Sequence, residues 1–471
     1  MILALIELKD YIIYINYKEW KQLKKFTLLR EKNNKFIYKS YKFSSNDNLL
    51  RIEFHYQLFE GDNVTDFNHR LSLPMNDKIF LEGDFSNIIF HIGMAEAISY
   101  YKIAAPKQFF IECGTLLEGQ KKWFAKLYYN GLGEFIYLND ITVTQDDLVE
   151  FVSSFDGADF EMINVETKEN NIIPIGGGKD SLVSYELLKD EFKDSLMFSM
   201  NPIVASKEIL DKHPQNSIEL KRELDLEKIL DFNKRGYLNG HIPFSSIVGF
   251  ISIWLGLIYK TRYIVLSNES SANEENIVFN GLKVNHQYSK SIEFEDDFRF
   301  YIASFITKDV EYFSFLRPLD EIHIAKLFSQ TPEHFFTFRS CNVGSKRNEW
   351  CGKCPKCLFT YIMLCNYIQD ETLHKIFAKD MLNDSNLQEL FDGLSKSDEV
   401  KPFECVGTYD EVNYALTKKR ATYVDSELPY LLKNYSSIDI KYNLEVPFDG
   451  KNNLPQKFKE ILKQHVKQLS F

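Results

Sequence analysis

Two runs of residues in this chain have the types and spacing that chemistry requires. The first is Gly176-Gly-Gly-Lys-Asp-Ser181, which follows a short apolar segment and opens a helical one. Three glycines leave successive backbone N–H groups unobstructed by Cβ atoms, and a helix N-terminus behind them adds partial positive charge, so the run reads as a phosphate cradle. It has neither the Gly-x-x-x-x-Gly-Lys-Ser/Thr spacing of a P-loop nor the Gly-x-Gly-x-x-Gly of a dinucleotide turn. A strand-to-helix turn without a ligand is the plainer alternative. The second run is Cys341-x9-Cys351-x2-Cys354-x2-Cys357, four thiols within 17 residues. That spacing can wrap one tetrahedral ion, and zinc is the first reading. An iron–sulfur cluster also takes four cysteines, and a metal-free buried set is the third alternative. Lys353 and Lys356 would soften the charge of four thiolates. Cys113, Cys365 and Cys405 read as core residues, with a role as acid or base left open.

These runs need elements to hold them. From about 165 to 330 the pattern repeats strand, turn and helix: a strand at Asn171–Ile175, a helix at Ser181–Phe192, a strand at Ser195–Met200, a helix at Pro243–Lys260 and a strand at Tyr263–Leu266. Alternation of this kind predicts an α/β fold with a doubly wound parallel sheet whose ligands sit at the carboxyl ends of the strands. Residues 1–150 read as a separate β-rich α+β domain. Alternation at Tyr11–Tyr17 and Leu50–Tyr56 makes residues 1 to about 80 mostly strand; Phe85–Ala104 has helical spacing; Trp123–Leu138 reads as helix, an Asn130-Gly131/Leu132-Gly133 turn and then a strand. Its aromatic strands could stack a uracil or a sugar, although cross-strand packing is the commoner use of such residues. Residues 331–400 carry the cysteines and helices, including Leu358–Tyr367, and 401–471 form a C-terminal extension packing on the core.

Composition excludes several classes. With 44% hydrophobic and 26% charged residues the chain is neither disordered nor of low complexity. Its 67 acidic against 56 basic residues give a net charge of -11, which argues against long nucleic acid or anionic membrane as partners. The longest apolar run, Phe244–Tyr259, is short of a membrane span and reads as a buried helix. A start with no basic leader makes the cytoplasm the expected compartment. A small-molecule substrate is expected, and no obligate protein partner is evident.

Gly176–Ser181 resembles the Ser-Gly-Gly-x-Asp-Ser signature of the PP-loop ATP pyrophosphatase superfamily, with Gly176 in place of the first serine. The resemblance implies cleavage of ATP to AMP and pyrophosphate. The amides of Gly177 and Gly178 and the Ser181 hydroxyl would hold the departing pyrophosphate, Asp180 would help hold Mg2+, and Lys179 would offset phosphate charge or stand as a solvated lysine at the helix start. The cysteine run beside such a loop is similar to the cyano-deazaguanine synthases, which leave residues 1–150 and the tail unaccounted for. A wider set is similar to the UDP-N-acetylmuramoyl-L-alanyl-L-glutamate epimerases: the glycine loop, Asn239-Gly-His-Ile-Pro243, Ser267-Asn-Glu-Ser-Ser-Ala-Asn273, Val284-Asn-His-Gln-Tyr-Ser-Lys-Ser291, Arg317-Pro-Leu319 and Trp350-Cys-Gly-Lys-Cys354, flanked by Gly131-Leu-Gly-Glu-Phe135 and Lys401-Pro-Phe-Glu-Cys-Val-Gly407. That resemblance implies a bacterial cell-wall enzyme that adenylates the terminal L-glutamate of UDP-MurNAc-L-Ala-L-Glu with ATP and Mg2+ and inverts its α-carbon, with structural zinc on the four cysteines.

An epimerase needs a group on each face of the α-carbon. His241, Glu269, His286 and Lys290 are the polar candidates beside Asp180. His241 could instead cap or buttress the helix that follows it, Glu269 could bind Mg2+ or ribose, and His286 and Lys290 could face one another or a diphosphate. Arg317 is a candidate clamp for a substrate carboxylate, or a partner of Asp320 or Glu321. Two rivals share parts of this pattern: a PP-loop enzyme that modifies tRNA or a deazaguanine-type nucleobase, for which a basic stripe is expected, and a zinc-stabilised nucleotide-binding module without turnover.

Overall fold

The computed structural model describes residues 3–8, 11–153, 155, 157, 159–396, 399, 401–436 and 442–469, with backbone alone for 3–8 and 11–24. Residues 437–441, 470 and 471 of the expected C-terminal extension therefore lie outside the described residues. The first strands, β1 (Leu3–Leu8) and β2 (Tyr11–Asn16), form an antiparallel hairpin. Next come β3 (Lys35–Ser45), β4 (Leu49–Glu60), β5 (Asn63–Pro74), β6 (Gln108–Ile111) and β7 (Glu150–Ser153). The second half supplies β8 (Lys168–Pro174), β9 (Leu196–Met200), β10 (Ser217–Glu223), β11 (Thr261–Leu266), β12 (Ile277–Phe279), β13 (Leu282–Val284) and β14 (Glu311–Ser314).

Ten of these strands form one sheet in the order β14-β11-β8-β9-β10-β5-β4-β3-β6-β7. The five at its β14 end are mutually parallel. Side chains on their two faces alternate between two cores. Ile172 and Ile264 join the core that holds Ile247, Trp254 and Phe298, whereas Ile173 and Val265 join the one that holds Leu182, Ile209 and Leu358. Helices therefore cover both faces. Chain direction reverses its march across the sheet between β8 and β11, and a doubly wound sheet opens its ligand crevice at such a switch point. The glycine run follows β8 and Ser267-Asn-Glu269 follows β11, one on each side of that crevice.

The expected N-terminal unit does not form a sheet of its own, because β5 pairs antiparallel with β10 and fuses the two halves. One inward position of β10 is charged: Arg222, bonded to buried Glu96 at 2.6 Å. Residues 1–80 also contain a helix, Tyr17–Lys32, that starts where the expected first strand was to end. After the Asn130–Gly133 turn the chain forms the helix Gly133–Leu138 instead of the expected strand; Phe135 and Ile136 are buried, and Glu134 sits in the first turn, where a carboxylate suits the positive helix end. The aromatic strands pack inward. Tyr38 and Tyr56 are fully buried with ring centroids 5.1 Å apart, and the Tyr56 hydroxyl donates to the Gly93 carbonyl at 2.7 Å, so these rings build core and offer no stacking surface.

The other expected elements appear with small shifts: helices at Ser86–Glu96, Lys179–Leu188, Phe244–Ile258 and Pro355–Leu364. Among the described residues no helix is long and apolar enough to cross a membrane. The β12–β13 hairpin turns on Asn280-Gly281, both at positive φ as a two-residue hairpin demands, and it delivers the loop bearing His286 and Lys290. Near the C-terminus, Phe458 of the helix Gln456–Lys467 is buried against Phe192, Tyr263 and Phe313, so this part of the extension packs on the core.

Candidate functional site

The glycine run leaves β8 and turns into the helix Lys179–Leu188, whose N-cap is Gly178. No side chain caps the helix, and Gly176, Gly178, Asp180 and Ser181 at its start line a cleft of about 430 Å³. Gly177 has φ +90°, and a Cβ there would lie 3.1 Å from the Ser206 nitrogen. Only glycine fits both constraints. At Gly176 a Cβ would meet nothing within 4 Å, because that position opens on the cleft.

Lys179 is buried, not solvated: its ammonium is paired with Asp180 and with Glu321. Asp180, Glu269 and Glu321 bring carboxylate oxygens within 4.8 Å of one another. Burial, and the charge of neighbouring carboxylates, raise the pKa of Glu269 and Glu321 above the usual carboxylate range, opposed by Lys290 and Lys179 at Glu269 and by Lys179 at Glu321. Three carboxylates this close form a donor set able to hold a cation, a place that the Lys179 ammonium fills in part. The sequence names Glu321 only as an alternative partner of Arg317 and gives it no ligand role; its place here follows from β14, whose carboxyl end leads into the helix Glu321–Phe328.

Lys290 joins this triad to a second group. It lines the same cleft, and its Nζ lies 3.2 Å from the Cys405 thiol. Burial would lower the lysine's pKa, but the negative groups at Cys405 and Glu269 raise it, so it stays cationic. His286 donates from Nδ1 to Glu134 and also bonds Cys405; against the effect of burial, these two partners raise its pKa to about 9. His241 packs its ring 4.1 Å from that of His286, and burial together with the charges of His286, Lys102 and Lys290 lowers its pKa to about 3. Cys405 is half-buried rather than a core residue. Burial opposes its ionisation, yet Lys290, Lys356 and His286 outweigh that and hold the thiol well below its ordinary range. Glu134 and Cys405 lie in segments the sequence already marked, at Gly131–Phe135 and Lys401–Gly407, but only the fold gives them partners.

Arg317 has partners other than those expected. It is 2% exposed and pairs with Glu295 at 3.0 Å, with neither Asp320 nor Glu321. Its terminal nitrogens also donate to the backbone carbonyls of Glu269 and Lys290. It therefore fixes two residues of the cleft and does not present its fork to a substrate.

The four cysteines converge. Cys341 and Cys354 sulfurs are 3.9 Å apart, Cys351 and Cys357 3.7 Å, and Cys354 and Cys357 3.4 Å. A tetrahedral zinc with bonds of about 2.3 Å sets its sulfurs ~3.8 Å apart, so the set is compatible with one zinc ion. The Gly344 N–H donates to the Cys341 sulfur at 3.1 Å, as a thiolate ligand favours. This module touches the glycine loop directly. Arg339, two residues before Cys341, donates its backbone N–H to the Gly177 carbonyl at 2.8 Å, and Lys356, between Cys354 and Cys357, lines the cleft.

Residues 28–315 match the family described as the MurL N-terminal domain, and residues 337–436 match the MurL C-terminal domain. A UDP-N-acetyl-alpha-D-muramoyl-L-alanyl-L-glutamate epimerase of Micromonospora sp. is 32% identical over 374 residues, covering 77% of this chain and 82% of the relative. Proteins of the same name from Salinispora tropica and Xanthomonas oryzae pv. oryzae are each 30% identical, over 81% and 69% of this chain and 84% and 72% of their own lengths.

Proposed function

The chain belongs to the MurL family of UDP-N-acetyl-α-D-muramoyl-L-alanyl-L-glutamate epimerases, and on that premise we propose that it uses ATP and Mg2+ to invert the terminal glutamate of UDP-MurNAc-L-Ala-L-Glu from L to D in peptidoglycan precursor synthesis. The observation that carries the ATP-dependent reading is the glycine turn at the helix N-terminus, where Asp180 lines the cleft and meets the buried carboxylates of Glu269 and Glu321. The loop acts as a PP-loop: the amides of Gly177 and Gly178 and the Ser181 hydroxyl hold the β and γ phosphates, with Lys356 supplying positive charge. Asp180, Glu269 and Glu321 would hold Mg2+, which neutralises phosphate charge during the displacement. Lys179 fixes the orientation of Asp180 and Glu321.

The chemistry explains the nucleotide. Removing the α-proton of a carboxylate places a second negative charge beside the first. Attack of the glutamate carboxylate on the α phosphorus expels pyrophosphate and gives an acyl-adenylate, from which the first charge is gone. Each tenfold gain in carbanion formation lowers the barrier by about 1.4 kcal/mol, and hydrolysis of the mixed anhydride makes inversion irreversible. The polar residues near the cleft divide by protonation state. His286 is a proton donor at neutral pH, His241 is unprotonated, and Lys290 remains a cation suited to the developing enolate or a phosphate. The four cysteines hold a structural zinc that pins the segment carrying Arg339 to the loop; a multi-iron cluster would spread the sulfurs farther than they are.

Incubation with UDP-MurNAc-L-Ala-L-Glu, ATP and Mg2+ in heavy water tests this reading. Formation of the D-glutamate dipeptide with deuterium at its α-position is expected. Recovery of the L-dipeptide carrying no deuterium contradicts it.

A further inference from the structure

Outside the glycine nest and the zinc-type cluster, Glu134, His286 and Cys405 form a relay with Lys290 beside it. Glu134 accepts from His286 Nδ1, which fixes the ring, and the same imidazole bonds the Cys405 thiol. Lys290, which lines the cleft, places its Nζ 3.2 Å from the sulfur. A carboxylate, an imidazole and a thiol in hydrogen-bonded series are the parts of an activated cysteine. The charged groups facing the sulfur are Lys290, His286 and Lys356, opposed by Glu404. Three cations against one carboxylate favour a thiolate there. The remaining candidates are less suited to remove a proton. Lys290 is held cationic, Glu269 belongs to the carboxylate triad, and His241, pressed by three cations, is a very weak base.

We propose that Cys405 is the catalytic base of the epimerisation, taking the α-proton of the activated glutamyl group, with Glu134 and His286 as positioning residues for its sulfur. This deepens the proposed function and rests on it. The Cα–H bond breaks and an S–H bond forms. The C–H electron pair passes into the acyl carbonyl, leaving an enolate oxygen that Lys290 can meet. A proton delivered to the opposite face by a second acid completes inversion, and thiol and acid return to their starting states by exchange with water. The sulfur forms no bond to carbon.

The test uses the full-length protein and its Cys405→Ala and Cys405→Ser variants, with zinc content and melting temperature confirming the fold. Three rates are read: ATP–pyrophosphate exchange dependent on UDP-MurNAc-L-Ala-L-Glu, deuterium entry at the α-carbon, and D-glutamate formation. Both variants are expected to keep exchange within about threefold of the parent while deuterium entry and inversion fall by about 10²- to 10⁴-fold. Iodoacetamide should label Cys405 of the parent at pH 6.5, and bound substrate with ATP should slow the labelling. Inversion by Cys405→Ala within tenfold of the parent overturns the assignment, as does an equal loss of exchange and inversion. A glutamyl thioester on Cys405, found by intact mass after acid quench, also overturns it by making the sulfur a nucleophile. Absence of exchange in the parent overturns the nucleotide chemistry itself, a failure distinct from that of Cys405.

Discussion

The backbone N–H of Arg339 is bonded to the carbonyl of Gly177, so the approach to the four-cysteine module and the phosphate loop form one mechanical unit. Replacing Cys354 with Ser should reduce bound zinc to a small fraction of one equivalent and lower the melting temperature. Because Arg339 and Lys356 lose their anchor, KM for ATP should rise about tenfold or more, with kcat affected less. Zinc measured by atomic emission and ATP saturation curves check this, and an unchanged zinc stoichiometry refutes the ligand assignment.

The two neighbouring glycines should respond differently. Gly177→Ala meets the Ser206 backbone at a positive φ, so a loss of about 1–3 kcal/mol of stability is expected together with ATP binding. Gly176→Ala places its methyl in open space within the cleft, so stability should stay within about 0.5 kcal/mol while ATP affinity drops. Denaturant unfolding and ATP titration separate the two effects.

Asp180→Asn keeps the shape of the side chain and removes its charge. AMP production should fall by at least about 10³-fold, and the fold should survive because Lys179 retains Glu321. A melt and an AMP assay on the same preparation decide it; normal turnover would remove this carboxylate from the mechanism.

The raised pKa of His286 links pH to stability. Burial works against the charged ring, but Cys405 and Glu134 favour it more, lifting the value from 6.5 to about 9. A raised basic pKa contributes stability that is fully present below about pH 6.5 and is lost as pH rises through 9, on the order of 3 kcal/mol. The His286 component should therefore be lost between pH 7 and 9.5, offset below about pH 8.5 by the stability that the depressed Cys405 thiol gains as pH rises, and His286→Gln should lack the His286 component. Chemical unfolding of both proteins across this range measures the difference.

Local features of the sequence carried much of this. The glycine run, the cysteine spacing and the β8-helix-β9 grammar are short-range patterns, and each appears within a few residues of its expected place. What escaped depends on distant pairing. β10 alternates buried residues with less buried ones, but a charge at an inward position, Arg222, masks the pattern until Glu96 is brought against it. Glu134 and Cys405 are 271 positions apart, and neither has a local signal that names His286 as the partner of both. Arg317 beside a proline looked like a ligand clamp, and only the burial of Glu295 reveals it as an internal strut. Gly133–Leu138 has strand-forming residues but is short enough for packing against β13 to settle it as helix.

On the proposed mechanism the nest holds the two outer phosphates while ATP is split at its α phosphorus. Phosphorus-31 NMR of the reaction with UDP-MurNAc-L-Ala-L-Glu and Mg2+ reads this directly. AMP and pyrophosphate should grow in equal amounts, only when the dipeptide is present, and in step with D-glutamate. Appearance of ADP and orthophosphate, or of D-glutamate with the ATP signals unchanged, would contradict the account.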